Sequence, residues 1–79
     1  MSELSPLGRL VQVIARALVD QPESVQVSEP EPGRVELQVA PDDIGKVIGK
    51  DGRTAQSIRT LLSAATFRGP RRPQLDIVD

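Results

Sequence analysis

The chain has no cysteine and no histidine, which excludes a disulfide framework, a thiol nucleophile, an imidazole base and the usual zinc ligands. Tryptophan and tyrosine are also absent, and Phe67 is the only aromatic residue, so aliphatic side chains must fill the interior. No apolar run approaches the roughly 18 to 20 residues needed to cross a bilayer. Met1 to Asp20 carries acidic and polar residues where a secretory leader would have a basic start and an apolar stretch. These absences predict a soluble, cytoplasmic protein with no membrane partner, no cofactor and no small-molecule substrate.

What is present fits one small domain over residues 1–79. A chain of this length buries only about three-fifths of its unfolded surface, so its core is lean. With 38% hydrophobic and 27% charged residues the composition is globular rather than disordered.

The net charge of −1 hides an uneven distribution. Residues 1–40 hold three basic side chains against six acidic ones. Ile44 to Arg72 holds Lys46, Lys50, Arg53, Arg59, Arg68, Arg71 and Arg72 against Asp51 alone, an excess of six positive charges. Such a segment forms either a basic face for an anionic partner or a solvated face with no partner.

Leu7, Leu10, Val11, Ile14 and Leu18 recur with helical spacing, behind Ser5 as N-cap and Pro6 at the first helical position. Asp20-Gln21-Pro22 ends that helix. Val25 and Val27, then Val35, Leu37 and Val39, alternate with polar residues on either side of Glu29-Pro30-Glu31-Pro32-Gly33, predicting a hairpin with one buried face. After Pro41 the period turns helical at Ile44, Val47 and Ile48, with Asp42 and Asp43 placed to meet the positive end of a short helix, and Gly49 stops it. A further helix runs from about Arg53 to Ala65 or Thr66, with Ala55, Ile58, Leu61, Leu62 and Ala65 on its apolar side. Leu75 and Ile77 mark a last strand. The predicted class is α+β, in the order α-β-β-α-α-β, with three helices on one face of a three-stranded sheet.

The informative stretch is Val47-Ile48-Gly49-Lys50-Asp51-Gly52-Arg53. Two glycines three apart permit positive φ and a close backbone approach, and the helix that follows offers unsatisfied N–H groups and the positive end of its dipole. Lys50 and Arg53 add charge. The spacing by itself serves a phosphate site or a plain helix-to-helix turn. A Walker loop does not fit, because only three residues separate Gly45 from Gly49 and Asp51 stands where a serine or threonine would hold magnesium. A dinucleotide fingerprint is missing too. Asp42 and Asp43 are adjacent on a helix start, where their side chains diverge, so no catalytic or metal residue is assigned.

Val47 to Ile58 resembles the signature of KH domains: an aliphatic helix end, the Gly-x-x-Gly loop at residues 49–52, and an aliphatic residue six positions after the second glycine. With a helix and a strand ahead of the β-α-α-β unit, the order is similar to the type II, bacterial KH arrangement over nearly the whole chain. Its size and the run Asp43 to Lys50 make it most similar to the stand-alone bacterial KH proteins of the KhpA type. The resemblance implies a non-enzymatic RNA-binding protein, an RNA chaperone or post-transcriptional regulator, whose groove holds about four single-stranded nucleotides.

Carried over by position, Gly49, Lys50, Asp51 and Gly52 are the clamp on the RNA backbone, with Lys46, Ile48, Arg53 and Arg59 beside it. Ile44, Val47, Ile48 and Ile58 serve either the core or the floor under the bases. The near absence of aromatics sets the chain apart from folds that bind bases by ring stacking. The resemblance also implies self-association into a homodimer, or pairing with a larger KH protein of the Jag/KhpB type. An interaction or dimerisation module with little RNA binding of its own is the alternative. Asp51 departs from the many KH loops that are basic there, and its carboxylate is expected to oppose phosphate. Arg68 to Pro73 is either an extension of the phosphate track or a solvated turn.

Overall fold

The computed structural model describes residues 4–31, 33–65 and 74–78. Helix α1 (Pro6–Leu18) begins as its sequence dictates: Ser5 has extended φ and ψ, and its Oγ accepts a hydrogen bond from the Gly8 N–H at 3.3 Å. The cap is itself held, because Glu29 accepts from the Ser5 N–H at 2.7 Å and from its hydroxyl at 2.8 Å. A short 3₁₀ turn at Pro22–Ser24 leads into strand β1 (Gln26–Glu31), followed by β2 (Arg34–Gln38). A second 3₁₀ turn, Pro41–Asp43, runs into helix α2 (Ile44–Ile48). Helix α3 (Arg53–Ala65) and strand β3 (Gln74–Val78) complete the order α-β-β-α-α-β expected from the sequence.

The sheet is mixed, in the order β1-β2-β3. β1 and β2 are antiparallel, with Val27 opposite Leu37. β2 and β3 are parallel, with Val35 beside Leu75 and Leu37 beside Ile77. Parallel neighbours need a long crossover, which the α2–α3 unit supplies. The hairpin departs from the simple expectation in one respect. β1 continues through Glu29-Pro30-Glu31, with a register shift between Ser28 and Glu31. A proline is accommodated there because β1 is an edge strand and the ladder is already interrupted.

The three helices cover one face. Leu7, Val11 and Ala15 of α1, Val47 of α2, and Ile58 and Leu62 of α3 bury against Val35, Leu37 and Leu75 of the sheet. On the opposite face Arg34 Nε donates to Asp76 Oδ2 at 2.9 Å, tying β2 to β3.

One apolar residue leaves the expected stripe on each of α1 and α3. Leu18 is 38% exposed and Leu61 52% exposed. At the C-cap Val19 the chain turns extended, so the helical period ends and Val19 takes the buried place instead of Leu18. Leu61 lies to one side of the line through Ala55, Ile58 and Leu62 that meets the sheet. Phe67, Arg68, Arg71 and Arg72 lie outside the described residues, as does the side chain of Ala65. No helix among the described residues is long and apolar enough to cross a membrane.

Candidate nucleic-acid interface

Helix α2 ends because Gly49 takes φ 78° and ψ 171°, closed by its N–H donating to Gly45 O at 2.9 Å. Lys50–Gly52 then forms a single 3₁₀ turn, with the Gly52 N–H donating to Gly49 O at 3.1 Å. Three of the four loop residues have positive φ: Gly49, Asp51 (φ 56°, ψ 24°) and Gly52 (φ 74°). Aspartate is among the few non-glycine residues that enter the left-handed region readily.

The two glycines are not equivalent. A Cβ on Gly49 would run into Thr54, meeting its Oγ1 and lying 2.6 Å from its Cβ and 2.8 Å from its N. A Cβ on Gly52 would meet nothing within 4 Å. Gly49 is therefore required by both space and φ, and Gly52 by φ alone. α3 starts at Arg53, immediately after this turn, with the Arg53 N–H donating to Lys50 O, so the positive end of its dipole lies at the loop.

The basic residues expected at this site separate into two kinds. Lys50 and Arg53 are exposed and make no ion pair or side-chain hydrogen bond among the described residues. Lys46 is committed elsewhere, with Nζ 2.8 Å from Asp20 Oδ2 and 3.3 Å from Asp43 Oδ1. Its pKa is raised, first by the hydrogen bond to Asp20 and then by that to Asp43. Arg59, about 9 Å along α3 from Arg53, donates through Nη2 to Leu75 O at 3.2 Å and so ties α3 to β3. The carboxylate of Asp51 is exposed and makes no hydrogen bond among the described residues, so it does not cap α3.

The aliphatic candidates separate as well. Val47 and Ile58 are core, 0% and 3% exposed, whereas Ile44 is half-buried and Ile48 is 37% exposed beside the loop.

Asp43 stands at the start of α2 as the sequence predicts, but its main partners are distant ones that the sequence did not show. Its side chain is 1% exposed and makes no cap hydrogen bond to α2. Oδ1 accepts from the Asp20 N–H at 3.3 Å and Oδ2 from the Gln21 N–H at 3.0 Å, fastening the end of the α1 segment to the start of α2. Burial by itself pushes this carboxyl up, but the two backbone donors and the Lys46 ammonium more than offset that and hold it below the usual carboxylate range. The i, i+3 spacing of Asp43 and Lys46 was the only local sign of the arrangement.

Residues 8–77 match the family model described as KhpA/KhpB, KH domain. The chain is similar to the RNA-binding protein KhpA of Halalkalibacterium halodurans, 53% identical over 73 residues that cover 89% of this chain and 96% of that protein. It is 49% identical to the RNA-binding protein KhpA of Caldanaerobacter subterraneus subsp. tengcongensis over 91% of this chain and the whole of that protein. Against the RNA-binding protein KhpA of Treponema pallidum it is 49% identical over 89% of this chain and 91% of that protein. No solved structure matches it. Fold, loop and relatives agree: the chain belongs to the KhpA/KhpB family of KH-domain proteins.

Proposed function

We propose that this is a cytoplasmic, non-enzymatic protein that holds single-stranded RNA by its backbone at Gly49–Gly52, with Lys50 and Arg53 as the phosphate contacts. The observation that carries the proposal is the loop itself: three positive φ values in four residues, at the start of a 13-residue helix, beside two exposed cations with no ion-pair partner among the described residues. That geometry places the positive end of a helix dipole and two exposed cations at one glycine-rich turn, which suits a phosphate. The relatives named as RNA-binding proteins support the same reading. A role as an RNA chaperone or post-transcriptional regulator would use such contacts, because backbone recognition carries little sequence information.

A second activity, association with another copy or with a larger KH protein of the KhpB type, is favoured by the exposed aliphatic side chains Leu61 on α3 and Ile48 beside the loop. It extends the RNA reading, since a paired groove contacts a longer strand.

The test is the variant Gly49→Asp with Gly52→Asp, measured by fluorescence anisotropy with single-stranded RNA and by circular dichroism. Loss of RNA binding in a protein that still melts cooperatively supports the assignment. Wild-type binding by the folded variant overturns it, and joint loss of RNA binding and self-association places the loop at the subunit interface.

A further inference from the structure

The N-terminal half of the chain is the acidic one, yet it leaves two arginines unanswered. Residues 1–40 hold three arginines and six carboxylates. Arg34 is met by Asp76 at 2.9 Å and by Glu36 at 3.8 Å. Arg9 and Arg16 are exposed on α1 and make no ion pair or side-chain hydrogen bond among the described residues. Arg16 stands in the last turn of α1, where the helix dipole favours a cation. Arg9 has no such use in the fold: it lies toward the positive end of the dipole, and the first turn there contains no acidic residue to offset it.

Arg9, Val13 and Arg16 follow one another at i, i+4 and i+7, on the side of α1 turned away from the buried Leu7, Val11 and Ala15. Val13 is 65% exposed, so an uncovered aliphatic side chain lies between two cations about 10 Å apart along the helix axis. The Arg16 end of this strip is the one fastened to the helix that carries the loop. Asp20, just past α1, holds Lys46 of α2 at 2.8 Å, and Asp43 at the start of α2 receives the Asp20 and Gln21 amides. Lys50 follows four residues after Lys46.

Arginine and lysine side chains without a hydrogen-bond or ion-pair partner among the described residues thus fall in two places, Lys50 and Arg53 at the loop and Arg9 and Arg16 on α1. We propose that Arg9 and Arg16 form a second backbone contact for RNA, holding phosphates of the strand after it leaves the loop. This rests on the RNA-clamp reading and adds a site on a different helix to it. The two arginines are further apart than adjacent phosphates are along a stacked strand, about 3.4 Å, so they meet two different phosphates. They lengthen the footprint without reading sequence, because phosphate contacts carry no base information. A strand too short to run past the loop does not reach them.

The experiment compares wild type, the double variant Arg9→Gln, Arg16→Gln, and the loop variant Gly49→Asp, Gly52→Asp. A control, Gln38→Glu with Gln74→Glu, makes the same change of net charge at exposed positions on the sheet face away from the helices. Each is titrated by fluorescence anisotropy with random-sequence single-stranded RNA of about six and about 24 nucleotides over a salt series, with thermal melts and light scattering. On the longer RNA the arginine variant should bind about three- to tenfold more weakly than wild type. Its slope of log affinity against log salt should be shallower by about 1.4, the value for two phosphates of a single strand. On the shorter RNA it should match wild type, and the control should keep the wild-type slope on both. Arg9→Gln alone, which relieves the dipole, should make the slope on the longer RNA shallower by about 0.7 and so carries the test if the double variant does not fold. If the arginine variants bind the longer RNA as wild type does while the loop variant does not, this inference falls and the clamp stands. Equal weakening on both lengths, or by the control as much as by the arginine variant, also overturns it. Loss of self-association with RNA affinity unchanged overturns it in favour of a second copy on α1. Wild-type binding by the folded loop variant overturns the clamp and the extension together.

Discussion

The ammonium of Lys46 lies 3.3 Å from the carboxylate of Asp43, a side chain only 1% exposed, and 2.8 Å from that of Asp20. One lysine of the basic segment is therefore tied to the acidic half of the chain. Lys50, four residues on, has no such partner among the described residues and is free to meet a phosphate.

The two lysines should separate experimentally. With about two to four phosphates neutralised, the wild-type protein is expected to show a log–log salt slope of about −1.5 to −3. Lys50→Ala should make that slope shallower by about 0.7 to 1 and leave the melting temperature unchanged. Lys46→Ala should lower the melting temperature and leave the slope as it was. A reversed pattern in anisotropy and thermal melts would return Lys46 to the RNA contacts.

Asp43 gives the fold a defined response to acid. Its folded-state pKa lies below the ordinary carboxylate value of about 3.8, so its contribution to stability is fully present above that value and fades as pH falls through the lower, folded-state pKa. Lys46 has the opposite sign: its pKa is raised above the ordinary 10.5, so its contribution holds below that value and fades only in stronger alkali. Asp43→Asn should be less stable than wild type at neutral pH, and the gap should narrow below about pH 4. Urea midpoints across that range check this, and a gap that stays constant would count against the buried clamp.

Removing the carboxylate from the loop should strengthen RNA binding. Asp51→Asn keeps a residue that tolerates φ near +56° and deletes only the charge, so a gain of about 0.5 to 1 kcal/mol, roughly two- to fivefold, is expected with little change in melting temperature. Lysine at the same position adds a phosphate contact but must adopt a left-handed conformation it disfavours, so Asp51→Lys should gain affinity and lose stability. Anisotropy together with thermal melts resolves the two effects. Unchanged or weaker binding by Asp51→Asn would mean that the carboxylate does not face the RNA.

Gly49 and Gly52 should differ in their tolerance of alanine. Gly52→Ala meets only the left-handed penalty, about 1 to 2 kcal/mol. Gly49→Ala adds a collision with Thr54, whose backbone N is one of the atoms in the way, and should be the more destabilising change. Urea denaturation of the two single variants ranks them.

How the N-cap of α1 is secured bears on stability alone. Glu29→Ala removes the acceptor of both Ser5 donors, at 2.7 and 2.8 Å, and should cost about 1 to 2 kcal/mol without altering the RNA salt slope. Chemical denaturation and anisotropy on the same preparation check both halves.

Local information sufficed wherever the physics is local. Helix caps, period-2 and period-3.6 alternation and the Gly-x-x-Gly spacing act over a few residues, so element order, helix starts and the loop at 49–52 were legible in the sequence. The tertiary structure decided what depends on distant partners. Asp42 and Asp43 look alike in sequence, yet only Asp43 receives the Asp20 and Gln21 amides, because packing brings the end of the α1 segment against the start of α2. Lys46 and Lys50 look alike too, and Asp20, far back in the chain, separates them. Ile48 and Val47 are neighbours with the same chemistry, and only the placement of α2 against α1 and α3 makes one exposed and the other core. Periodicity fixes which residues share a face, but which face is covered, and which charge is already answered, follows from how the layers come together.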